Sequence, residues 1–333
     1  MKERRNEELE NNNYKLINMN DVEAEKVEWL WEGFIPVGKL TILHGDPGKG
    51  KTMAMLNIIA ALTTGRELFD PPGSTPVREP VNVIYQTAED GLADTVKPRL
   101  MEAGADCSRV YVIDDSERAL NMSDERLEMA IADTGAKLVV LDPLQAFLGA
   151  KVDMHRANEV RPQMKHLSDM AARHKCAMVL IGHLNKMANA SVDYRGLGSM
   201  DFMAAARSVI LCAKSKDDPE VRVLAPTKSS MTYEHNPVAF RLSKEGGFEW
   251  EGECDVTVDE LLSNAMKKGY KRDEAMEFVR DQLSEQMLPS TELYGRAERA
   301  GISKKTLRNA MKDIGVESIK DGDRWYVGLP TWN

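Results

Sequence analysis

The stretch LTILHGDPGKGKTMAML, Leu40 to Leu56, holds an apolar run, a loop of glycine and lysine, and a second apolar run. Within it GDPGKGKT fits the pattern G-x-x-x-x-G-K-[ST] in full. The apolar run before the loop reads as a strand. The run after it, Met53 to Thr64, reads as a helix closed by Gly65. In that setting the glycines let backbone N–H groups converge on phosphate oxygens, at a helix N-terminus whose dipole also favours an anion. Gly45, Asp46, Pro47, Gly48, Lys49, Gly50, Lys51 and Thr52 are therefore expected to cradle a nucleoside triphosphate. Lys51 is placed to meet the β- and γ-phosphates, and the Thr52 hydroxyl to ligate Mg2+. A chance glycine-rich turn would not require these flanking elements.

Working outward, VNVIYQTAED, RVYVID, AKLVVLDPLQAFLG and CAMVLIGHLNK each hold a short apolar run of strand type. A helical pattern from Met154 to His174 contains Pro162, where a bend is expected. Apolar strands alternating with helices predict a parallel sheet covered on both faces, with ligands at the carboxyl ends of the strands. Asp142 ends one such strand and is expected to hold the metal; an Asp there can also be a turn or cap residue. Glu89 and Asp90 end another. A carboxylate opposite the γ-phosphate can orient and deprotonate water, and Glu89 has the longer arm; the alternative is a cap for a helix starting near Leu92. His183 ends a third strand, where it could sense the γ-phosphate or serve the packing. SVILCAKSK, VRVLAPTKSS and VAFRLSKEGGFEWEG read as later strands, the last a hairpin turning near Gly246-Gly247. Upstream, Trp29 and Trp31 fit packing of the leading segment better than shelter of a nucleotide base.

With 42% hydrophobic and 29% charged residues in 333, the chain falls in the soluble globular range, long enough for two domains. No apolar run approaches the ~20 residues of a membrane span, and MKERRNEELENNN lacks the apolar core of a signal peptide, so a cytoplasmic location is expected. Cys107, Cys176, Cys212 and Cys254 are scattered, which argues against structural zinc or a disulfide framework. The net charge of −9 argues against broad coating of nucleic acid, though not against a local basic surface. From Val256 onward there are 13 basic and 13 acidic residues, so the acidic excess lies upstream.

That difference suggests three regions: a disordered tail (1–14), a nucleotide-binding domain (15–255) and a smaller domain (256–333). The last contains three amphipathic helical segments, DEAMEFVRDQLSE, STELYGRAERAG and SKKTLRNAMKDIG, then a hairpin around Asp321-Gly322. Helices followed by a hairpin read as a winged-helix-like domain. Such a domain binds duplex DNA or docks protein. In the DNA reading Lys304, Lys305, Arg308 and Lys312 lie on the recognition helix, and KDGDRW forms a wing on phosphates. A loop from Lys186 to Ser208, with Lys186, Arg195 and glycines at 196 and 198, could touch single-stranded DNA; the alternative is plain disorder.

Taken in order, these motifs resemble the RecA-like ATPases. Within them the chain is similar to the RepA-type hexameric replicative helicases and related ATPases of plasmids, phages and integrated elements. The resemblance runs from VEWLWEGFIPVGKLTILHGDPGKGKT through YQTAEDGLADTVKPRLMEAGAD, LVVLDPLQAFLG, IGHLNK and YRGLGSMDFMAAARSVIL to TKSS. It implies an α/β RecA-like core and a homo-oligomeric, hexameric ring with ATP between subunits. By the same resemblance, Lys51 and Thr52 are expected to bind ATP, Glu89 to activate water, Asp142 to hold Mg2+ and His183 to sense the phosphate. Arg207 and Lys228 match the positions that complete a neighbour's site. Lys228 stands where relatives often carry arginine, a point charge in place of a planar fork. Two functions follow: a motor or loader on single-stranded DNA, or a regulatory ATPase that assembles with ATP without unwinding. A small-molecule kinase is a third, disfavoured by the DNA-binding-like tail.

Overall fold

The computed structural model describes residues 16–68, 79–149, 152–154, 156–183, 200–215, 217–231, 235–258, 260–261, 275–284, 287–321 and 324–329. The expected tail and most of PPGSTPVREP lie outside them. Strands β1 (Trp29–Trp31) and β2 (Ile35–Pro36) pair and lead into β3 (Leu40–Gly45). Helix α1 (Lys51–Thr64) follows, then β4 (Val83–Thr87). A π turn (Leu92–Val96) runs into α2 (Lys97–Glu102) and on to β5 (Val110–Tyr111). Next come α3 (Glu125–Thr134), β6 (Leu138–Asp142), α4 (Ala157–His174) and β7 (Ala177–His183). Helix α5 (Met200–Ala205) precedes β8 (Ser208–Lys214), β9 (Val221–Ser229), β10 (Val238–Ser243) and β11 (Gly247–Glu253).

These strands form a 9-stranded sheet in the order β11-β10-β9-β8-β3-β7-β6-β4-β5. From β8 to β5 every pairing is parallel, and β9, β10 and β11 extend it as an antiparallel meander. The result is the mainly parallel α/β architecture expected from the alternation of apolar strands and helices. β3 lies near the middle and is buried along its length, as a strand covered on both faces must be. β7 alone separates it from β6, so the loop after β3 and Asp142 at the end of β6 come close together.

One face of the sheet packs on α1, whose Met55, Leu56, Ile58, Ile59 and Leu62 are all buried. The other packs on α3, α4 and α5 through Leu127, Met164, Leu167 and Phe202. Trp31 is wholly buried; it stacks on Phe34 with ring centroids 4.0 Å apart and meets Trp250 edge-on at 5.8 Å. The packing reading therefore holds for Trp31. Two elements differ from expectation. RVYVID supplies only Val110 and Tyr111 to the ladder, because the backbone of Ile113 bonds both ends of the Gln86 side-chain amide, at 3.1 Å each. The helix expected from Met154 starts at Ala157, and it continues through Pro162.

Beyond the sheet, Val256, Val258 and Leu261 pack with Val221, Val223 and Ala239. A helix at 275–282, here α6, is followed by β12 (Leu288–Pro289), α7 (Ser290–Arg299), α8 (Lys304–Asp313), β13 (Glu317–Asp321) and β14 (Arg324–Gly328). The strands form a 3-stranded sheet, and Leu283, Leu293, Leu307 and Val327 share a core with Val279 and Ala310. Ser303 caps α8 by accepting the Thr306 N–H at 3.2 Å.

Candidate functional site

The loop between β3 and α1 is shaped by close approach. A Cβ on Gly45 would lie 2.2 Å from the Cys212 carbonyl oxygen, so only glycine lets β3 run this near β8. Gly50 has φ +92, a left-handed backbone that side chains rarely adopt, and a Cβ there would meet the Leu242 side chain at 2.7 Å. No side chain caps the N-terminus of α1, so its first-turn N–H groups are left for an anion. Beneath the loop, the Cys212 thiol donates to the Lys49 carbonyl at 3.4 Å, and burial pushes that thiol up to about 12.

Lys51 is 4% exposed and its ammonium donates to the carbonyls of Gly45 (2.8 Å) and Asp46 (3.0 Å). Burial lowers its pKa, against the raising effect of Cys212, Asp142, Asp46 and Glu89 nearby. One position on, the Thr52 hydroxyl donates to Asp142 Oδ2 at 2.8 Å. Asp142 is 5% exposed, and burial raises its carboxyl, opposed by hydrogen bonds from Thr52 and Tyr85. A hydroxyl and a carboxylate are hard oxygen donors, the set that suits Mg2+ shared with nucleotide phosphates. Among the described residues no group of three His, Cys, Asp or Glu could hold a metal by itself. The residues present thus fit a cation that arrives with its nucleotide, with Thr52 and Asp142 as its protein ligands.

Glu89 and Asp90 leave β4 in a turn whose N–H groups point at the Thr87 hydroxyl, 3.4 and 3.3 Å away. Asp90 is paired with Arg99 at 3.0 Å. Glu89 is close enough to Lys51 and Asp142 to act on both electrostatically. A cavity of about 580 Å³ opens beside Glu89, lined also by Thr87, Leu92, Asp114 and Ser116. β7 ends with His183 paired to Gly45, so its backbone adjoins the start of the loop.

Arg207 and Lys228 lie elsewhere. Arg207 precedes β8, whose first residue pairs with Thr41, and Lys228 pairs with Val209. Both therefore sit toward the amino end of β3, Arg207 level with Leu40 and Lys228 with Ile42, roughly 17 and 10 Å along the strand from Gly45 at the ordinary strand rise. That is too far to complete the phosphate site of their own chain. In the single chain the Lys228 ammonium donates to the carbonyls of Met203 (2.9 Å), Ala204 (3.1 Å) and Ala206 (2.9 Å), closing the C-terminal end of α5. Lys186 and Arg195 lie outside the described residues. Lys304, Lys305, Arg308 and Lys312 fall on α8, and all but Lys312 belong to its first half.

Sequence reading did not single out Tyr85, Cys212 or His44. Tyr85 is wholly buried and donates to Asp142 Oδ2 at 3.1 Å. The signal for it was strand alternation, which puts it on the same face as Thr87, the residue paired with Asp142. His44 is 7% exposed, both its ring nitrogens lack hydrogen-bond partners among the described residues, and burial lowers its pKa to about 4.

DNA repair protein RadA of Streptococcus pneumoniae is 23% identical over 289 residues, 85% of this chain and 61% of that protein. RadA of Halalkalibacterium halodurans is 23% identical over 168 residues, 50% of this chain and 32% of that protein. The chain thus spans about three fifths of the first relative and a third of the second. A KaiC-like protein of Pyrococcus horikoshii OT3 superposes with TM-score 0.48 at 16% identity, over 67% of this chain and 99% of that one. Residues 5–189, which carry the phosphate loop, Glu89, Asp142 and His183, match the AAA domain, and the chain belongs to that family.

Proposed function

We propose that the protein is a cytoplasmic, Mg2+-dependent ATPase that works on DNA as a ring-forming RepA-type motor, its ATP sites completed between subunits. The observation that carries the ATPase part is the contact of Thr52 with Asp142 beside buried Lys51, with Glu89 on the adjoining strand end. On binding ATP, Lys51 exchanges its two carbonyl acceptors for β- and γ-phosphate oxygens, and the loop N–H groups take the rest. Mg2+, when bound, neutralises charge on the phosphates. Glu89 accepts a proton from the attacking water. The water oxygen then bonds to the γ-phosphorus as the bond to the β–γ bridging oxygen breaks, giving ADP and phosphate. His183, at the strand end beside the loop, senses the loss of the γ-phosphate.

Arg207 and Lys228 support completion of the site from a neighbour, since the sheet holds them at the end away from their own loop. The relatives named as DNA repair proteins support DNA as the polymer. The helices and hairpin from 275 onward support a winged-helix reading in which Lys304, Lys305, Arg308 and Lys312 face duplex DNA. Lys186 and Arg195 belong to the segment proposed to meet single strands. A second reading, a regulatory ATPase that assembles on DNA without unwinding it, draws support from Lys228, whose cation is engaged inside its own chain.

Mg2+-ATP turnover is expected in the wild-type protein, and Lys51→Ala is expected to remove it. The mass of the assembly, measured with a non-hydrolysable ATP analogue, should reach a hexamer in the presence of single-stranded DNA. Turnover that ignores single-stranded DNA, together with tailed duplexes that stay paired, would sink the motor reading and leave the regulatory one.

A further inference from the structure

The two carboxylates of the site stand on different strands, Asp142 at the end of β6 and Glu89 just past β4. One buried side chain touches both neighbourhoods. The Tyr85 phenol donates to Asp142 Oδ2 at 3.1 Å, the same oxygen that accepts from Thr52 at 2.8 Å. Two residues on along β4, and on the same face, the Thr87 hydroxyl accepts from the N–H groups of Glu89 and Asp90. Contacts thus run from Thr52 through Asp142 to Tyr85, and Tyr85 stands on the strand whose end carries Glu89.

We propose that Tyr85 is a positioning residue: its hydroxyl fixes the Asp142 carboxylate for the cation and ties it to β4, the strand whose end presents Glu89. A buried carboxylate held by one donor can still pivot about its Cβ–Cγ bond. A second donor on the same oxygen, arriving from a neighbouring strand, fixes the plane of the carboxylate and leaves Oδ1 as the oxygen that could meet a cation. Packing alone does not need the hydroxyl, because a phenyl ring fills the same space among Val83, Val140 and Met55. Residues that orient metal ligands in this way commonly change metal affinity or activity by 10–100-fold when removed.

The inference rests on the ATPase reading, and the test separates the two. Mn2+ binding to the ADP complex is followed by electron paramagnetic resonance in wild type, Tyr85→Phe, Asp142→Asn and the double variant. Tyr85→Phe should weaken Mn2+ roughly tenfold and leave metal-free ADP binding unchanged. It should also lower kcat roughly tenfold with little change in the KM for ATP. In the Asp142→Asn background it should add nothing to the loss of Mn2+ affinity, because the carboxylate through which it acts is gone. Wild-type Mn2+ affinity in Tyr85→Phe, or the same tenfold loss in both backgrounds, would overturn the proposal. A wild-type protein that takes up no Mn2+ with ADP would overturn the ATPase reading itself, and this inference with it.

Discussion

At the residue scale, the carboxyl end of β3 gathers groups that pull against their own burial. Lys51 and Asp142 are charged and buried, and each is compensated: the ammonium by two carbonyls, the carboxylate by two hydroxyls. His44, one residue before the loop, has no such compensation. Burial depresses its pKa from 6.5 to about 4, so in the folded protein it stays neutral where an unfolded chain takes up a proton. Its contribution to stability is therefore intact above about pH 6.5 and is lost as pH falls toward 4. The slope is about 1.4 kcal/mol per pH unit, and the total about 3 kcal/mol. Urea midpoints at pH 7 and pH 5 should show this loss in the wild type, and His44→Leu should flatten it. An unchanged slope in His44→Leu would mean that another group titrates.

At the scale of elements, β3, β6 and β7 were legible in the sequence because each is a short, mainly apolar run. The carboxyl-end rule then placed Glu89, Asp142 and His183 at one rim. What escaped reading depends on contacts made across strands. The β5 run was trimmed by Gln86, a residue 27 positions from Ile113. Tyr85 reaches Asp142 over 57 positions, and nothing local in VIYQT marks the phenol as anything but core. Lys228 grips α5 only because β9 folds back along β8, 22 to 25 positions away. A cation on the last carbonyls of a helix contributes up to about 1 kcal/mol when partly exposed. Lys228→Met should therefore lower the stability of the isolated chain by about that amount, read from denaturant midpoints. A fall in turnover of the assembled protein well beyond this small loss would mark a role across the interface. Equal turnover in assembled Lys228→Met and wild type would exclude it.

For the whole molecule, the sheet and the C-terminal helices each have their own apolar core, and their charge differs. The acidic excess lies before Val256, and α8 presents lysine and arginine in its first turns. If α8 meets DNA, its cations release counterions on binding. Arg308→Ala should then weaken duplex binding and reduce the slope of log affinity against log salt by about one unit if it contacts a phosphate. Fluorescence anisotropy across a salt series measures both. Unaltered affinity at every salt concentration would favour the protein-docking use of the same helices.

The thiol beneath the phosphate loop gives the molecule a built-in clock. Cys212 is buried with its hydrogen on the Lys49 carbonyl, so a thiol reagent can reach it only after β8 and the loop part. Its labelling rate therefore times the opening of the loop. Cys176, buried against the other face of the sheet, times opening there, and half-buried Cys107 and Cys254 mark the fast limit. ATP or ADP should slow Cys212 severalfold more than Cys176, with each site followed by mass spectrometry of the labelled peptides. Equal slowing at both would mean that nucleotide steadies the whole sheet and not the loop alone.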